Sequence, residues 1–420
     1  VIPHVIGEIK SFIYRAADRS GAQVLITEIG GTVGDIESQP FLEGIRQVSL
    51  EQGPGSCLFV HVTLVPFLSW AGEHKTKPTQ HSVKELRSMG ISPGIIVART
   101  DRPLDDDVRE KIALFCNVKP DRVIENLTLP CLYEAPLMLH REGLDEAVCQ
   151  ALGLETETPD LREWEELVQR IQARSGEVVI AIVGKYTKLH DAYLSIVESL
   201  SHAGFAAGVH VRIKWVDSEE VTEHTAGDQL RGIDGMIIPG GFGERGIEGK
   251  IAACRYAREH GIPFLGICLG MQVAVIEFAR HVCQLHSANS AEFDEHSPHR
   301  VIDLMEEQKG ITDKGGTMRL GAYHCRVGEG TLLQRLYGSD QISERHRHRF
   351  EVNNDYRDIL TQHGMVLSGT SPDGKLVEAV ELPGHRFFVG VQYHPEFKSR
   401  PNRPHPLFLG LVGAALEGRP

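Results

Sequence analysis

No apolar run in this sequence comes near the ~20 residues that a membrane-spanning helix requires. The opening VIPHVIGEIKSF also lacks the basic region and apolar stretch of a secretory leader. Excess positive charge is missing as well. Lys and Arg number 44 against 57 Asp and Glu, a net charge of -13. That balance argues against a protein that tracks a nucleic-acid backbone, but a local Lys/Arg cluster can still hold a small phosphorylated ligand. The eight cysteines form no CxxC pair, and neither an internal repeat nor a low-complexity tract is visible. Scattered cysteines of this kind fit a reduced, cytoplasmic protein whose thiols are mostly buried.

What is present is ordinary globular material. The 420 residues are 41% hydrophobic and 24% charged, enough for roughly two to three domains. The first 152 residues alternate apolar runs with helical patterns. GAQVLITEIGG, SCLFVHVTLVP and SPGIIVART read as buried strands, and QPFLEGIRQVSLEQG and HSVKELRSMG as helices. Such alternation predicts a parallel α/β sheet. Residues 153–177 turn polar and acidic around Trp164 and read as a linker helix. A second α/β unit is expected over 178–420, with VVIAIVGKY, VHVRIKWVD, IDGMIIPGG and PFLGICLG as strands. Its tail is richer in β-structure, with SPDG as a hairpin turn.

Three strings in this second unit carry chemistry. In Phe264-Leu265-Gly266-Ile267-Cys268-Leu269-Gly270 a strand runs through G-x-C-x-G into a helix. Glycines permit the sharp turn that lifts a nucleophile out of a sheet, and the following helix N-terminus favours thiolate over thiol. A cysteine in an apolar run is more often structural; the flanking glycines shift Cys268 toward a nucleophile. Gln392-Tyr393-His394-Pro395-Glu396 ends a strand. A cysteine hydrolase needs a His to move the proton and an acid to orient that His, and residues two apart on a strand point the same way. Pro239-Gly240-Gly241-Phe242-Gly243 offers turn N–H groups suited to an oxyanion.

Together, in this order, the three strings resemble the class I glutamine amidotransferases over roughly residues 178–415. The resemblance implies Cys268 as nucleophile, His394 as general base and acid, and Glu396 as the orienting carboxylate. Gly240, Gly241 and Leu269 would bind the oxyanion. Gly241, Leu269, Gly270, Met271, Gln272, Glu292 and Arg349 would contact glutamine.

The first half then indicates where the ammonia goes. Glu28-Ile29-Gly30-Gly31-Thr32-Val33-Gly34-Asp35-Ile36-Glu37-Ser38 puts an acid at an expected strand end before glycines, an arrangement able to hold Mg²⁺ beside a phosphate. Lys75-Thr76-Lys77-Pro78-Thr79-Gln80 gathers two lysines with hydroxyl and amide groups, a set suited to a phosphate or nucleobase. Either string alone would pass for a solvated loop. Read with the glutaminase strings, and with HxTLVP, GGTMRLG, RHRHRFEVNN and HPLF, they resemble the CTP synthase family along essentially the whole chain. The implied fold is part of a parallel-sheet, P-loop-type synthetase (amidoligase) domain over 1–152, followed by the amidotransferase domain.

The implied reaction is ATP-dependent amination of UTP to CTP with glutamine-derived ammonia. The resemblance assigns Glu28 to Mg²⁺ (which accompanies ATP, with no organic prosthetic group). It assigns Asp35, Ile36, Glu37, Lys75, Thr76, Lys77, Pro78, Thr79, Gln80 and Lys111 to UTP and CTP, and Leu127, Thr128 and Leu129 to ATP. It also implies GTP as activator, with Arg245 as its candidate residue, CTP as feedback inhibitor, and a homotetramer. A glutaminase serving another synthetase or a γ-glutamyl hydrolase would have no use for the first-half strings, and a catalytically silent subunit would not need the intact Cys268, His394 and Glu396. The family opens with a Gly-rich, Lys-containing phosphate loop, yet no G-x-x-x-x-G-K-[ST] occurs here and the chain starts at Val1 within a helical pattern. The expectation is therefore of a fragment lacking its N-terminus, able to hydrolyse glutamine but not to form CTP. ATP-dependent CTP formation by the 420-residue polypeptide would contradict it.

Overall fold

The computed structural model describes residues 2–187, 189–304 and 318–418. The Gly315, Gly316 and Thr317 part of the GGTMRLG string lies outside the described residues. The chain divides into two compact units, Val1–Val168 and Gln169–Pro420. The division falls within the helix that the sequence marks as a linker.

In the first unit, α1 (Ile2–Ser20) packs on α2 (Gln39–Gln52). β1 (Val60–Leu64) is followed by a small antiparallel hairpin, β2 (Phe67–Leu68) and β3 (Glu73–His74). Then come α3 (Lys77–Ser88), β4 (Ile95–Thr100), α4 (Asp106–Cys116), β5 (Val123–Leu127), α5 (Ala135–Arg141) and α6 (Leu144–Leu152), with α7 (Arg162–Gln172) running across the boundary. The sheet is parallel, in the order β1-β4-β5. Its central strand IIVART reads as a continuous apolar run because both faces are covered. Ile96 and Ala98 meet Val83, Ile112 and Cys116 on one face, while Ile95 and Val97 meet Ala147, Leu139 and Leu144 on the other.

One expected strand is not there. GAQVLITEIGG forms no strand, and Gln23 to Glu28 are exposed. Its residues favour β-structure, but a strand gains its stability from a hydrogen-bonded neighbour, and none of the described residues pairs with this run. Only its end is anchored: Ile29 and Val33 pack against Leu42, Leu86 and Ile91.

The second unit is built on a nine-stranded mixed sheet in the order β13-β12-β15-β16-β17-β9-β8-β6-β7. The parallel part comprises β6 (Glu177–Gly184), β7 (His210–Asp217), β8 (Gly235–Ile238), β9 (Phe264–Ile267) and β17 (Phe388–Val391). The antiparallel part comprises β12 (Arg319–Val327), β13 (Gln341–His348), β15 (Val366–Thr370) and β16 (Val377–Glu381). β10 (Ala288–Ser290), β11 (His299–Leu304) and β14 (Phe350–Val352) make a separate small sheet. One face of the large sheet carries α8 (Leu194–Ala207) and α14 (Pro406–Glu417), whose Leu200 and Leu411 join Ile180 and Val389 in one core. The other carries α10 (Ile247–His260) and α11 (Leu269–His281), with Ile251 and Val275 packed among Met236 and Phe264. α9 (Ala226–Gln229), α12 (Leu332–Tyr337) and α13 (Arg357–Gln362) are short. The β15–β16 hairpin turns at Ser371–Gly374, where Gly374 N donates to Ser371 O at 2.8 Å.

Candidate active site

Cys268 sits where β9 breaks into α11, with φ 53° and ψ -102°. A non-glycine residue held there is strained, and such strain persists only where its surroundings over-determine it. The neighbours do so. A Cβ on Gly266 would lie 2.6 Å from the Gly270 carbonyl, and one on Gly270 would lie 2.0 Å from the Ile238 carbonyl oxygen. Only bare backbone fits both places. Cys268 N donates to Val391 O at 2.7 Å, tying the elbow to β17.

His394 follows β17, and its Nδ1 lies 2.8 Å from Glu396 Oε1. The His ring thus has one nitrogen fixed by a carboxylate. Nε2, buried and without a hydrogen bond to any other group, is left for Cys268. Gly240 locks the pair together: a Cβ there would be 3.0 Å from His394 Cε1 and 3.5 Å from Cys268 Cβ. Cys268 is 4% exposed and His394 8%. Burial by itself pulls the imidazole's pKa down, but the hydrogen bonds to Cys268 and Glu396 outweigh it and push His394 up to about 10. At neutral pH the proton therefore rests on His394, ready for a leaving group. The structure brings the three residues into one constellation.

The other glutaminase-side residues gather around it. Gly241 packs against Leu269, since a Cβ on it would be 3.4 Å from Leu269 Cδ2. Glu292 Oε1 accepts a hydrogen bond from Gly243 N at 2.9 Å, bracing the Gly-rich loop. Met271 and Gln272 are buried in the first turn of α11. Gln272 Nε2 donates inward, to Phe350 O at 3.0 Å and Gln392 Oε1 at 3.2 Å. Arg349 lies between β13 and β14 with its Nε buried and unpaired. Arg245 donates to Lys185 O at 3.1 Å, and both cations lie near the Tyr186 ring.

Three features escaped sequence reasoning. Lys250, on α10, is 1% exposed, and its Nζ lies 4.0 Å from where a Gly241 Cβ would be. Burial first, then Lys185 and Arg245, lower it to about 8. Gln392 Nε2 donates to Cys268 Sγ at 3.6 Å; its place two residues before His394 is the one sequence signal for it. His346, His348 and Glu378 form the third feature, a buried cluster with possible ligand atoms within 4.8 Å of one another. Most of its polar atoms are engaged, with His346 Nε2 and Glu378 Oε2 the exceptions. Arg319 Nη1 binds Glu378 Oε1 at 2.6 Å, His346 Nδ1 meets His348 Nε2 at 3.0 Å, and His348 Nδ1 meets Phe350 O at 3.1 Å. Burial pushes His346 down to about 2 and His348 down to about 3, so both are neutral. The Arg319 guanidinium already supplies the positive charge beside Glu378, so the cluster reads as a hydrogen-bonded core network.

The first unit presents its residues differently. Lys75, Thr76, Lys77, Pro78, Thr79 and Gln80 run from the β2–β3 hairpin into the first turn of α3. Thr76 and Thr79 turn inward, where Gln80 Nε2 donates to Thr76 Oγ1 at 3.0 Å and Thr79 Oγ1 donates to Leu64 O at 3.3 Å. Lys75 pairs with Glu73, whose carboxyl is lowered by that bond first and by Lys111 to a smaller degree. The structure therefore brings Lys75 and Lys111 to one region. Asp35 Oδ2 accepts from Thr32 N at 3.0 Å, while Ile36 stays 81% exposed and Glu37 is exposed too. Thr128 caps the end of β5, donating to Asp101 Oδ1 at 2.6 Å between Leu127 and Leu129. Glu28 is exposed and makes no ion pair among the described residues. A free hard-oxygen donor of that kind suits Mg²⁺, which commonly takes one or two carboxylates alongside phosphate oxygens and water.

The comparisons with known proteins fall in line with this geometry. Residues 1–154 match the family model described as CTP synthase N-terminus, and residues 188–414 the one described as Glutamine amidotransferase class-I. A CTP synthase of Ruminiclostridium cellulolyticum is 58% identical over 417 residues, covering 99% of this chain and 78% of the relative. One of Clostridium acetobutylicum is 58% identical over 415 residues, with the same 99% and 78% coverage. Among solved structures, the Trypanosoma brucei CTPS glutaminase domain with bound acivicin aligns with a TM-score of 0.55 at 40% identity. It covers 58% of this chain and 95% of that one.

Proposed function

Because this chain belongs to the CTP synthase family, the glutamine-hydrolysing ligases that join a synthetase unit to an amidotransferase unit, we propose the following division of labour among its residues. Cys268 Sγ attacks the carboxamide carbon of glutamine. Backbone N–H groups at Gly241 and Leu269 meet the charge that develops on the oxygen, with Gly240 shaping the turn. His394, oriented by Glu396, gives its proton to the departing ammonia and then draws one from the water that opens the thioester to glutamate. Glu292, Arg349 and the Leu269–Gln272 turn frame the glutamine.

The family's substrates are glutamine, UTP and ATP, and its reaction is ATP-dependent. ATP activates O4 of UTP as a phosphate ester, which ammonia displaces to give CTP. We assign Lys75 to Gln80, Lys111 and Asp35 to Glu37 to UTP and to CTP as feedback inhibitor, and Leu127 to Leu129 to ATP. Glu28 would hold the Mg²⁺ that offsets phosphate charge. Arg245, with Lys185 beside Tyr186, is our candidate for a GTP effect. A homotetramer and a cytoplasmic location complete the proposal. A γ-glutamyl hydrolase, or the glutaminase of another synthetase, is disfavoured by the match of residues 1–154 to the synthase N-terminus.

The observation that carries the glutaminase assignment is Gly240 wedged between Cys268 and His394. Its test is glutamate release from glutamine. Cys268→Ala lowers the rate by at least about 10⁴-fold, and persistent hydrolysis would remove Cys268 from the mechanism. For the nucleotide half, Lys75→Ala and Lys111→Ala each weaken UTP binding about tenfold by calorimetry. Unchanged affinity would move UTP elsewhere.

A further inference from the structure

The Cys268 sulfur faces more than His394. The carbonyl of Arg347 lies 3.9 Å from Sγ and can only accept a hydrogen bond, so it suits the thiol and not the thiolate. The Gln392 side chain lies 3.6 Å away and can present either end of its amide. An N–H would stabilise the thiolate, whereas a carbonyl oxygen would repel it.

The surroundings fix which end it presents. Phe350 O can only accept, so the Gln272 group 3.0 Å from it is the NH₂. The second hydrogen of that NH₂ meets Gln392 3.2 Å away, so Gln392 places its oxygen toward Gln272. Its own NH₂ is thereby turned onto Cys268 Sγ. Both amides are buried, Gln272 3% and Gln392 0% exposed. Turning Gln272 over would set its oxygen against two other oxygens, and turning Gln392 over would set NH₂ against NH₂, each a buried mismatch. The backbone of Gln392 is held as well, with its N–H donating to Glu378 O at 2.8 Å.

We propose that Gln392 is a further catalytic residue of the glutaminase, an N–H donor to the Cys268 thiolate whose orientation is set by a chain running from the Phe350 carbonyl through Gln272. Gln272 is then a positioning residue, acting on the sulfur through Gln392. The proposal rests on Cys268 being the nucleophile. It gives the thiolate two side-chain donors of different kinds: His394 donates and releases a proton during turnover, while Gln392 donates throughout and never titrates. Of the neighbouring charged groups, Glu396 sits behind His394 and Lys250 beneath the Gly241 loop, while Arg347 offers the sulfur its carbonyl and keeps its side chain exposed.

The test is the pH dependence of Cys268 alkylation by iodoacetamide, quantified on the Cys268 peptide by mass spectrometry so that the other seven cysteines do not contribute. Gln392→Met keeps the length and apolar volume and removes the donor. Its alkylation profile moves to higher pH by about one unit, a roughly tenfold slower reaction at pH 6. kcat for glutamate release falls by a similar factor while the KM for glutamine stays within about twofold. Gln272→Met, which frees the Gln392 amide to turn, moves the profile in the same direction by a smaller amount and serves as the test if Gln392→Met does not fold. A folded variant whose alkylation profile overlays the native one overturns the proposal. Glutamate release that survives Cys268→Ala overturns the nucleophile assignment instead, so the two failures are told apart.

Discussion

The two units expose their chemistry to opposite degrees. In the second, Cys268, His394 and the Gln272 and Gln392 amides are buried at the ends of strands in a sheet covered on both faces. In the first, Glu28, Ile36, Glu37, Lys77 and Lys111 stand in solvent on loops and on the outer faces of short helices, in a unit with a three-stranded sheet. β1 of that sheet turns Val60, Val62 and Leu64 outward, 41%, 63% and 59% exposed. A buried site is preorganised before substrate arrives: strain at Cys268 and the fixed amide chain already hold the reacting geometry. An exposed set of cations is not. In the proposed nucleotide site it would be drawn together by the phosphate charge of the ligand, with an affinity that falls with salt. On the proposed assignment, binding energy in the second unit is spent ahead of time by the fold, and in the first it would come from the nucleotide.

The sharpest way to break this contrast is to disturb the elbow. Gly270→Ala puts a methyl 2.0 Å from Ile238 O. It should abolish glutamate release and destabilise the second unit by about 3 kcal/mol or more, read by hydrogen exchange on peptides from β8 and β9. A native-like variant would show that the elbow has slack.

Lys250→Met should act in the opposite direction. Burial lowers Lys250 to about 8, from 10.5 when unfolded, so below pH 8 the fold carries the cost of a buried charge. Between about 8 and 10.5 the unfolded chain binds the extra proton, and that cost fades as pH rises. The variant should therefore be more stable by up to about 3 kcal/mol at pH 7 and by much less at pH 10.5. Denaturant unfolding at the two pH values checks it.

Acid should separate the units by a smaller step. His346 and His348 stay neutral in the fold down to about 2 and about 3. Below about pH 6.5 the unfolded chain takes up protons that the fold refuses, and stability drops by about 1.4 kcal/mol per pH unit for each histidine. His394 works on the alkaline side: its contribution is complete below about 6.5 and is lost as pH rises through about 10. Protection of β13 amides should thus fall faster between pH 6 and pH 5 than protection of β4, and His346→Gln should roughly halve the slope. In the first unit His61 is also lowered by burial, so its response is weaker but not zero. Smallest of all, Val62→Thr on the outward face of β1 should change stability by less than about 0.5 kcal/mol. A larger loss would mean that this face is covered in solution.

The gathering of Cys268, His394 and Glu396 was legible because each sits in a short local string, and local strings survive translation into structure. G-x-C-x-G forecasts a strand-to-helix turn, and H-x-E on an extended segment forecasts a shared side. The parallel strands VVIAIVG and IIVART were legible because burial on both faces leaves an unbroken apolar run. GAQVLITEIGG has the same appearance and forms no strand, since pairing depends on a neighbour that no single run encodes. Lys250 reads in sequence as one more helical lysine; its burial comes from packing beneath a loop that precedes it in the chain. The Gln272–Gln392 contact joins residues 120 positions apart, and only the folded sheet brings the two amides to one sulfur.

Strand β13 has a parity. Glu344, His346 and His348 face the interior, while Arg345 and Arg347 face out. Inserting one residue before Arg345 would exchange the two sets from that point on, driving guanidinium groups into a space shaped for neutral imidazoles. Deleting one would do the same. The segment beside the reactive sulfur can therefore change its length only by even steps. A catalogue of tolerated insertions along this chain should show a gap there that no count of contacts with substrate would forecast.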